Sequence, residues 1–247
     1  MTADPTAPGT AVRRVLVLAS NPAVSGQTGW PIGFWWSELT HPYWEFTQAG
    51  YQVEIASPDG GALRADAWSD PRDESGYSAD DLLSLGFASS PKHAALLEAT
   101  PSLAGVRPDD YAALLVIGGQ APMYTFAHDE RVHGLIASFH QAGKVTAVLC
   151  HGTAALLHTR LPGGELLVAG RTWTGFANSE EDYVDAYVGQ KVQPFRIEDE
   201  ARALPGTNFV TAGRFVPHAV RDGLLITGQQ QNSGAAVARL VIEALGR

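Results

Sequence analysis

The chain has a single cysteine, Cys150, in the segment Val145-Thr146-Ala147-Val148-Leu149-Cys150-His151-Gly152-Thr153-Ala154-Ala155. One cysteine forms no intramolecular disulfide and builds no cysteine metal cage. A lone cysteine is most often a small buried hydrophobe. Here, however, an apolar run ends on the thiol, and small residues follow at once. That pattern places a nucleophile on a sharp strand-to-helix turn. A thiol at a helix N-terminus is expected to have a lowered pKa and more thiolate near neutrality. His151, next in sequence, can act on the thiol as acid or base, although an isolated histidine is more often a surface residue. Glu38 opens an expected helix and can face the same strand ends; its plainer role is a favourable charge in a first helical turn. Gly118 and Gly119 end another apolar run. Their backbone N–H groups can approach a ligand and stabilise an oxyanion, or simply form a tight turn.

These residues need a scaffold that brings strand ends together. Residues 14–19 form a short β-branched run, and 52–56, 111–117, 145–149 and 224–227 repeat the pattern. Continuous apolar strands suit a sheet covered on both faces. Helical stretches are expected at about 37–49 with Ser37 as N-cap, 129–141, 152–158, and 233–244 capped by Asn232 or Ser233. Alternating strands and helices predict an α/β fold, a single-domain, mostly parallel sheet sandwiched by helices, with its site at the carboxyl ends of the strands. Residues 62–108 are rich in Asp, Ser, Ala and Pro and have short helical patches at 79–85 and 92–98. They read as an insertion or lid within one domain spanning 13–247. Residues 1–12 read as a disordered or loosely attached N-terminus.

Composition narrows the function. The formal net charge is -9, and the only lysines are Lys92, Lys144 and Lys191, so no basic patch for nucleic acid can form. No apolar run reaches the length of a membrane span, and the N-terminus lacks the order of a signal peptide. A single free thiol fits a reducing compartment. The expectation is a cytoplasmic protein that binds neither nucleic acid nor membrane.

Four segments together resemble the ThiJ/PfpI superfamily, which has the class I glutamine amidotransferase-like, flavodoxin-like fold. The similarity is greatest to its chaperone-like, glutathione-independent glyoxalase III branch. The segments are Gly33-Phe34-Trp35-Trp36-Ser37-Glu38-Leu39-Thr40-His41-Pro42-Tyr43, the run from Ala49 to Gly61, Ala147-Val148-Leu149-Cys150-His151-Gly152, and the run from Asp222 to Gln229. The resemblance implies Cys150 as nucleophile, Glu38 as the carboxylate that contacts the thiol and moves a proton, and His151 as acid/base. It implies a carboxylate after Thr174-Gly175-Phe176 that orients the histidine; Glu181 aligns best, with Glu180 the alternative. The amides of Gly119 and His151 would hold the oxyanion. It also implies a homodimer, no metal and no cofactor. The branch usually reads Gly-Gly-His-Gly where this chain has Gly118-Gly119-Gln120-Ala121. Gln120 hydrogen-bonds but does not titrate near neutrality, so the chemistry of the pocket is open to change. Trp30, Trp35 and Trp36 stand beside Glu38, where they are either core or the wall of a larger, more apolar pocket.

The leading reading is a cysteine enzyme, a lyase of the glyoxalase III or D-lactate dehydratase type. It would convert methylglyoxal or a related 2-oxoaldehyde, a small carbonyl substrate, to a 2-hydroxy acid without glutathione. The same Cys-Glu-His site could serve a hydratase, hydrolase or lyase acting on a bulkier metabolite. A stress-response holdase or thiol redox sensor is the non-catalytic reading.

Overall fold

The computed structural model describes residues 13–246. The expected loose N-terminus, residues 1–12, lies outside them. The main sheet has six strands: β1 (Arg14–Leu18), β2 (Gln52–Ala56), β3 (Ala113–Val116), β4 (Val145–Leu149), β5 (Ala219–Asp222) and β6 (Leu225–Gly228). The longer helices are α1 (Trp36–Gln48), α2 (Leu82–Ser89), α3 (Glu130–Gln141), α4 (Asn178–Val188), α5 (Ile197–Ala203) and α6 (Gly234–Ala244). The strand order is β2-β1-β3-β4-β6-β5, parallel except for β5 against β6.

The apolar strands become central strands because helices flank the sheet. Val15, Leu16, Val17 and Leu18 of β1 are fully buried, as are Leu114, Leu115 and Val116 of β3. Val17 pairs with Ile55 on one side and Leu115 on the other. Val116 pairs with Val148, and Leu149 with Gly228. This register ends β3 and β4 side by side, so that Gly118 and Cys150 emerge at the same edge. Helices α1 and α6 pack on each other, and α3 packs on β3 and β4.

Several elements differ from the sequence expectation. Trp35, not Ser37, occupies the N-cap position of α1; Ser37 lies inside the helix and donates to the Gln231 carbonyl at 3.2 Å. The segment after Cys150 is a run of 3-10 turns over Cys150–Leu157, not an α-helix. The antiparallel edge strand β5 was not expected. It is half-exposed and reaches β6 through the two-residue turn Gly223-Leu224, with Gly223 at φ 61°, the first central position where such a hairpin favours glycine. Helix α4 has no apolar stripe to announce it, since its buried residues are Glu180 and Glu181. In the 62–108 segment the helices fall at Leu82–Ser89 and Pro91–Ala94. The segment is fastened to α1 by Thr40 Oγ1 with Ser84 Oγ at 2.7 Å and His41 with Asp81 at 3.0 Å.

Candidate active site

Cys150 ends β4 with φ 56°, a left-handed conformation that non-glycine residues rarely adopt. Such a position costs about 1–3 kcal/mol and persists only where the surroundings enforce it. Here they do: the Thr153 hydroxyl donates to the Cys150 carbonyl at 2.6 Å and closes the turn. The bent backbone directs the His151 N–H toward the sulfur. The sulfur itself is 3.6 Å from His151 Nδ1.

His151 is held from its other side. Its Nε2 lies 2.9 Å from Glu181 Oε1, with both side chains buried. Phe176 stacks on the imidazole with centroids 4.0 Å apart and ring planes at 23°. The pairing fixes the ring's orientation; with Nε2 as donor, Nδ1 is left to accept from the thiol. Glu180, the alternative partner, is engaged elsewhere. Its Oε2 accepts from Ala177 N at 2.9 Å, closing the start of α4. Its Oε1 accepts from Gln229 Nε2 at 2.8 Å and Phe215 N at 3.1 Å. The two adjacent glutamates therefore divide between the histidine and the framework.

Glu38 is fully buried on the first turn of α1. Its Oε2 accepts from Gly118 N at 2.7 Å. A Cβ on Gly118 would lie 2.8 Å from His151 N and 3.0 Å from both Cys150 Cβ and Glu38 Oε2. Only a glycine lets the three segments meet there. Gly119, at φ 100°, continues the turn against the backbone of Gly33 and Phe34. Burial pushes the Glu38 carboxyl up to about 8; the Cys150 thiol and the Gly118 N–H oppose this, and Asp66 reinforces it. Burial also pushes the Cys150 thiol up, and the Glu38 carboxylate adds to that. The expected lowering of the thiol pKa is thus corrected. The 3-10 turns supply a weaker terminus than an α-helix, and desolvation beside a carboxylate outweighs it. Burial thus favours the protonated form of both members of the Cys150–Glu38 pair.

Asp66 was not anticipated. It is buried, and its carboxylate spans two turns of the site, accepting from Gly33 N at 2.9 Å and Gln120 N at 2.6 Å. Burial raises it to about 7 against those two hydrogen bonds. An aspartate in a polar, acidic stretch gives no sequence signal of such burial.

A cleft opens over the thiol. Trp35 and Gln120 line it with Cys150, His151, Phe176 and Glu181. Trp36 instead belongs to the core, edge-on to Phe34 and Phe87. Trp30 packs against Trp68. Trp68, Tyr77, Tyr183, Tyr187, Gln193 and Phe215 also face the cleft. Of these, the i, i+4 spacing of Tyr183 and Tyr187 was visible in the sequence. Among the described residues, no group of three or more His, Cys, Asp or Glu side chains is arranged to hold a metal ion. The arrangement can activate a thiol, hold an oxyanion on backbone amides, and move a proton on a buried carboxyl group.

Comparison with known proteins places this geometry among relatives. The chain is 25% identical over 236 residues to the probable glutathione-independent glyoxalase hsp3103 of Schizosaccharomyces pombe, covering 86% of this chain and 90% of that one. It is 24% identical to the glutathione-independent glyoxalase HSP31 of Saccharomyces cerevisiae, with coverage of 94% and 97%. Among solved structures, the Rapid Encystment Protein 24 KDa of Francisella tularensis superposes with a TM-score of 0.84 at 25% identity, covering 95% of this chain and all of that one. Glyoxalase III of Candida albicans shares the fold, with a TM-score of 0.76 at 21% identity and coverage of 95% and 98%. The strand-end cysteine, Glu38 and His151 lie within residues 33–244, which match the DJ-1/PfpI family, and the chain belongs to that family.

Proposed function

We propose that this protein is a glutathione-independent glyoxalase, converting methylglyoxal or a related 2-oxoaldehyde to the 2-hydroxy acid. The observation that carries the reading is the Cys150 sulfur set between His151 Nδ1 at 3.6 Å and the buried Glu38 carboxyl. Relatives named as glutathione-independent glyoxalases support it.

His151 takes the thiol proton as the sulfur adds to the aldehyde carbon, and Glu181 stabilises the imidazolium. The imidazolium returns that proton to the aldehyde oxygen, giving a hemithioacetal. The backbone N–H groups of Gly119 and His151 hold the oxyanion meanwhile. Glu38, as carboxylate, removes the C1 hydrogen to form an enediol and delivers that proton to C2, while the C1 hydroxyl proton passes to the C2 oxygen, leaving a thioester of the 2-hydroxy acid. Water hydrolyses the thioester, releasing the acid and restoring the thiol. The sum is one oxoaldehyde plus one water to one hydroxy acid, with no net redox change. A carboxyl group at about 8 is a strong base once ionised.

Cys150→Ala tests the reading: glutathione-free consumption of methylglyoxal is expected to vanish, and its persistence refutes the thiol mechanism. The single free cysteine supports a reducing, cytoplasmic setting. The resemblance supports a homodimer, which light scattering on the purified chain checks. Among the described residues no helix is long and apolar enough to cross a membrane.

A further inference from the structure

The cleft beyond the thiol is built for more than a methyl group. Its wall is a chain of aromatic rings from separate segments. Trp35 meets Tyr77 edge-on with centroids at 6.0 Å. Tyr77 lies near-parallel to Trp68 at 6.1 Å, and Trp68 meets Tyr187 edge-on at 5.6 Å. Tyr77 is 45% exposed and Tyr187 68% exposed, so these rings do not serve the core. Scattered surface aromatics are ordinary; rings converging on one cleft above a nucleophile mark a binding wall.

Two amides punctuate that wall. Gln193 is 93% buried, and its Oε1 has no hydrogen-bond partner. Gln120 Oε1 is likewise buried and unpartnered. A buried amide oxygen left unpaired is unfavourable, and a ligand group that pairs it removes that penalty. Rotating, an amide offers either a carbonyl or an NH₂, and a hydroxyl group answers both. The cleft lining includes neither lysine nor arginine, so a phosphate or carboxylate substituent finds no cationic partner.

We propose that this outer cleft is a subsite for a flat ring bearing a hydroxyl group, and that the preferred substrate is a hydroxylated aryl 2-oxoaldehyde rather than methylglyoxal. Gln193 and Gln120 read the hydroxyl, and Trp35, Trp68, Tyr77 and Tyr187 wall the ring. The identity of the reacting group rests on the glyoxalase reading above; the ring subsite does not.

The test uses the full chain with methylglyoxal, phenylglyoxal and 4-hydroxyphenylglyoxal. Each step in that series is expected to raise kcat/KM about tenfold, the worth of one well-placed contact. In Gln193→Leu the preference for the hydroxylated over the plain ring is expected to collapse toward one. A methylglyoxal kcat/KM equal to or above that of both aryl compounds overturns the proposal, as does an unchanged hydroxyl preference in both Gln193→Leu and Gln120→Leu. Binding separates the two levels. Cys150→Ala is titrated with 4-hydroxyacetophenone and with acetophenone, following tryptophan fluorescence. Saturable quenching that is tighter for the hydroxylated ring supports the subsite even if no oxoaldehyde is turned over, an outcome that refutes only the glyoxalase reading. If turnover is absent and neither ring quenches saturably, the subsite falls as well.

Discussion

Replacing Glu38 by glutamine is expected to stabilise the protein, increasingly so as pH rises, while removing activity. The magnitude follows from linkage. Glu38 is fully buried and raised from 4.5 to about 8. A carboxyl group raised on folding binds its proton more tightly in the native state, so stability falls as pH climbs between the two values. The gap, at about 1.4 kcal/mol per pH unit, is at most about 5 kcal/mol. It is absent below 4.5 and complete above about 8. Glutamine retains an oxygen for the Gly118 N–H, bonded at 2.7 Å in the wild type, and has no charge to desolvate. The stability difference between Glu38→Gln and wild type should therefore widen from pH 5 to pH 8 and then level off. In a protein of this size each kcal/mol raises Tm by about 2–4 °C. Urea unfolding at five pH values reads the difference. A gap that does not change with pH refutes the raised carboxyl. Turnover should fall by about 10²–10⁴, the usual worth of a general base.

Two further substitutions probe the partners. Asp66→Asn removes one of two acceptors: the amide would turn an NH₂ toward Gly33 N or Gln120 N. A loss of about 1–3 kcal/mol is expected near pH 4, shrinking as pH rises to about 7, because the wild-type carboxyl, raised on folding, loses stability across that range. The Asp66 charge helps to raise Glu38, so its loss should shift the rise of kcat/KM to lower pH; an unmoved profile rules out that electrostatic link. Glu181→Gln keeps an acceptor for His151 Nε2, now 2.9 Å away, but loses the charge that stabilises imidazolium. A fall in kcat of about 10² is expected with unchanged circular dichroism, and retention within twofold removes Glu181 from the mechanism.

Most of the scaffold was readable because β1, β3 and β4 are continuous apolar runs that fit only a sheet covered on both faces. The position of Cys150 followed from the strand that ends on it. Other parts were hidden for definite reasons. Helix α4 buries acids rather than apolar residues, so hydrophobic periodicity is blind to it. Whether Glu180 or Glu181 faces the histidine depends on one step of helical rotation, about 100°, which local sequence does not fix. Asp66 acquires its role only when the 62–108 segment folds back on Gly33 and Gln120. The pKa of Cys150 was misjudged because a helix terminus is a local feature, whereas desolvation and the Glu38 carboxylate come from tertiary packing.

That last reversal bears on the choice between enzyme and sensor. A redox-sensing thiol is exposed and largely thiolate. Cys150 is 2% exposed, raised by burial, and next to a carboxyl that is itself raised. Burial and the raised thiol both disfavour the exposed thiolate that a sensor needs. In the proposed mechanism Cys150 becomes a nucleophile when His151 accepts its proton, and the partner that would stabilise the resulting imidazolium, Glu181, is already in contact at 2.9 Å. The site thus carries two carboxyls raised by burial, Glu38 and Asp66, and a left-handed cysteine, each unfavourable to folding. A passive core cysteine requires none of them. A sensor requires the opposite electrostatics. An enzyme that generates its nucleophile only as the substrate arrives accounts for all three, since each group then acts on the thiol, on the proton that leaves it, or on the turns that hold both.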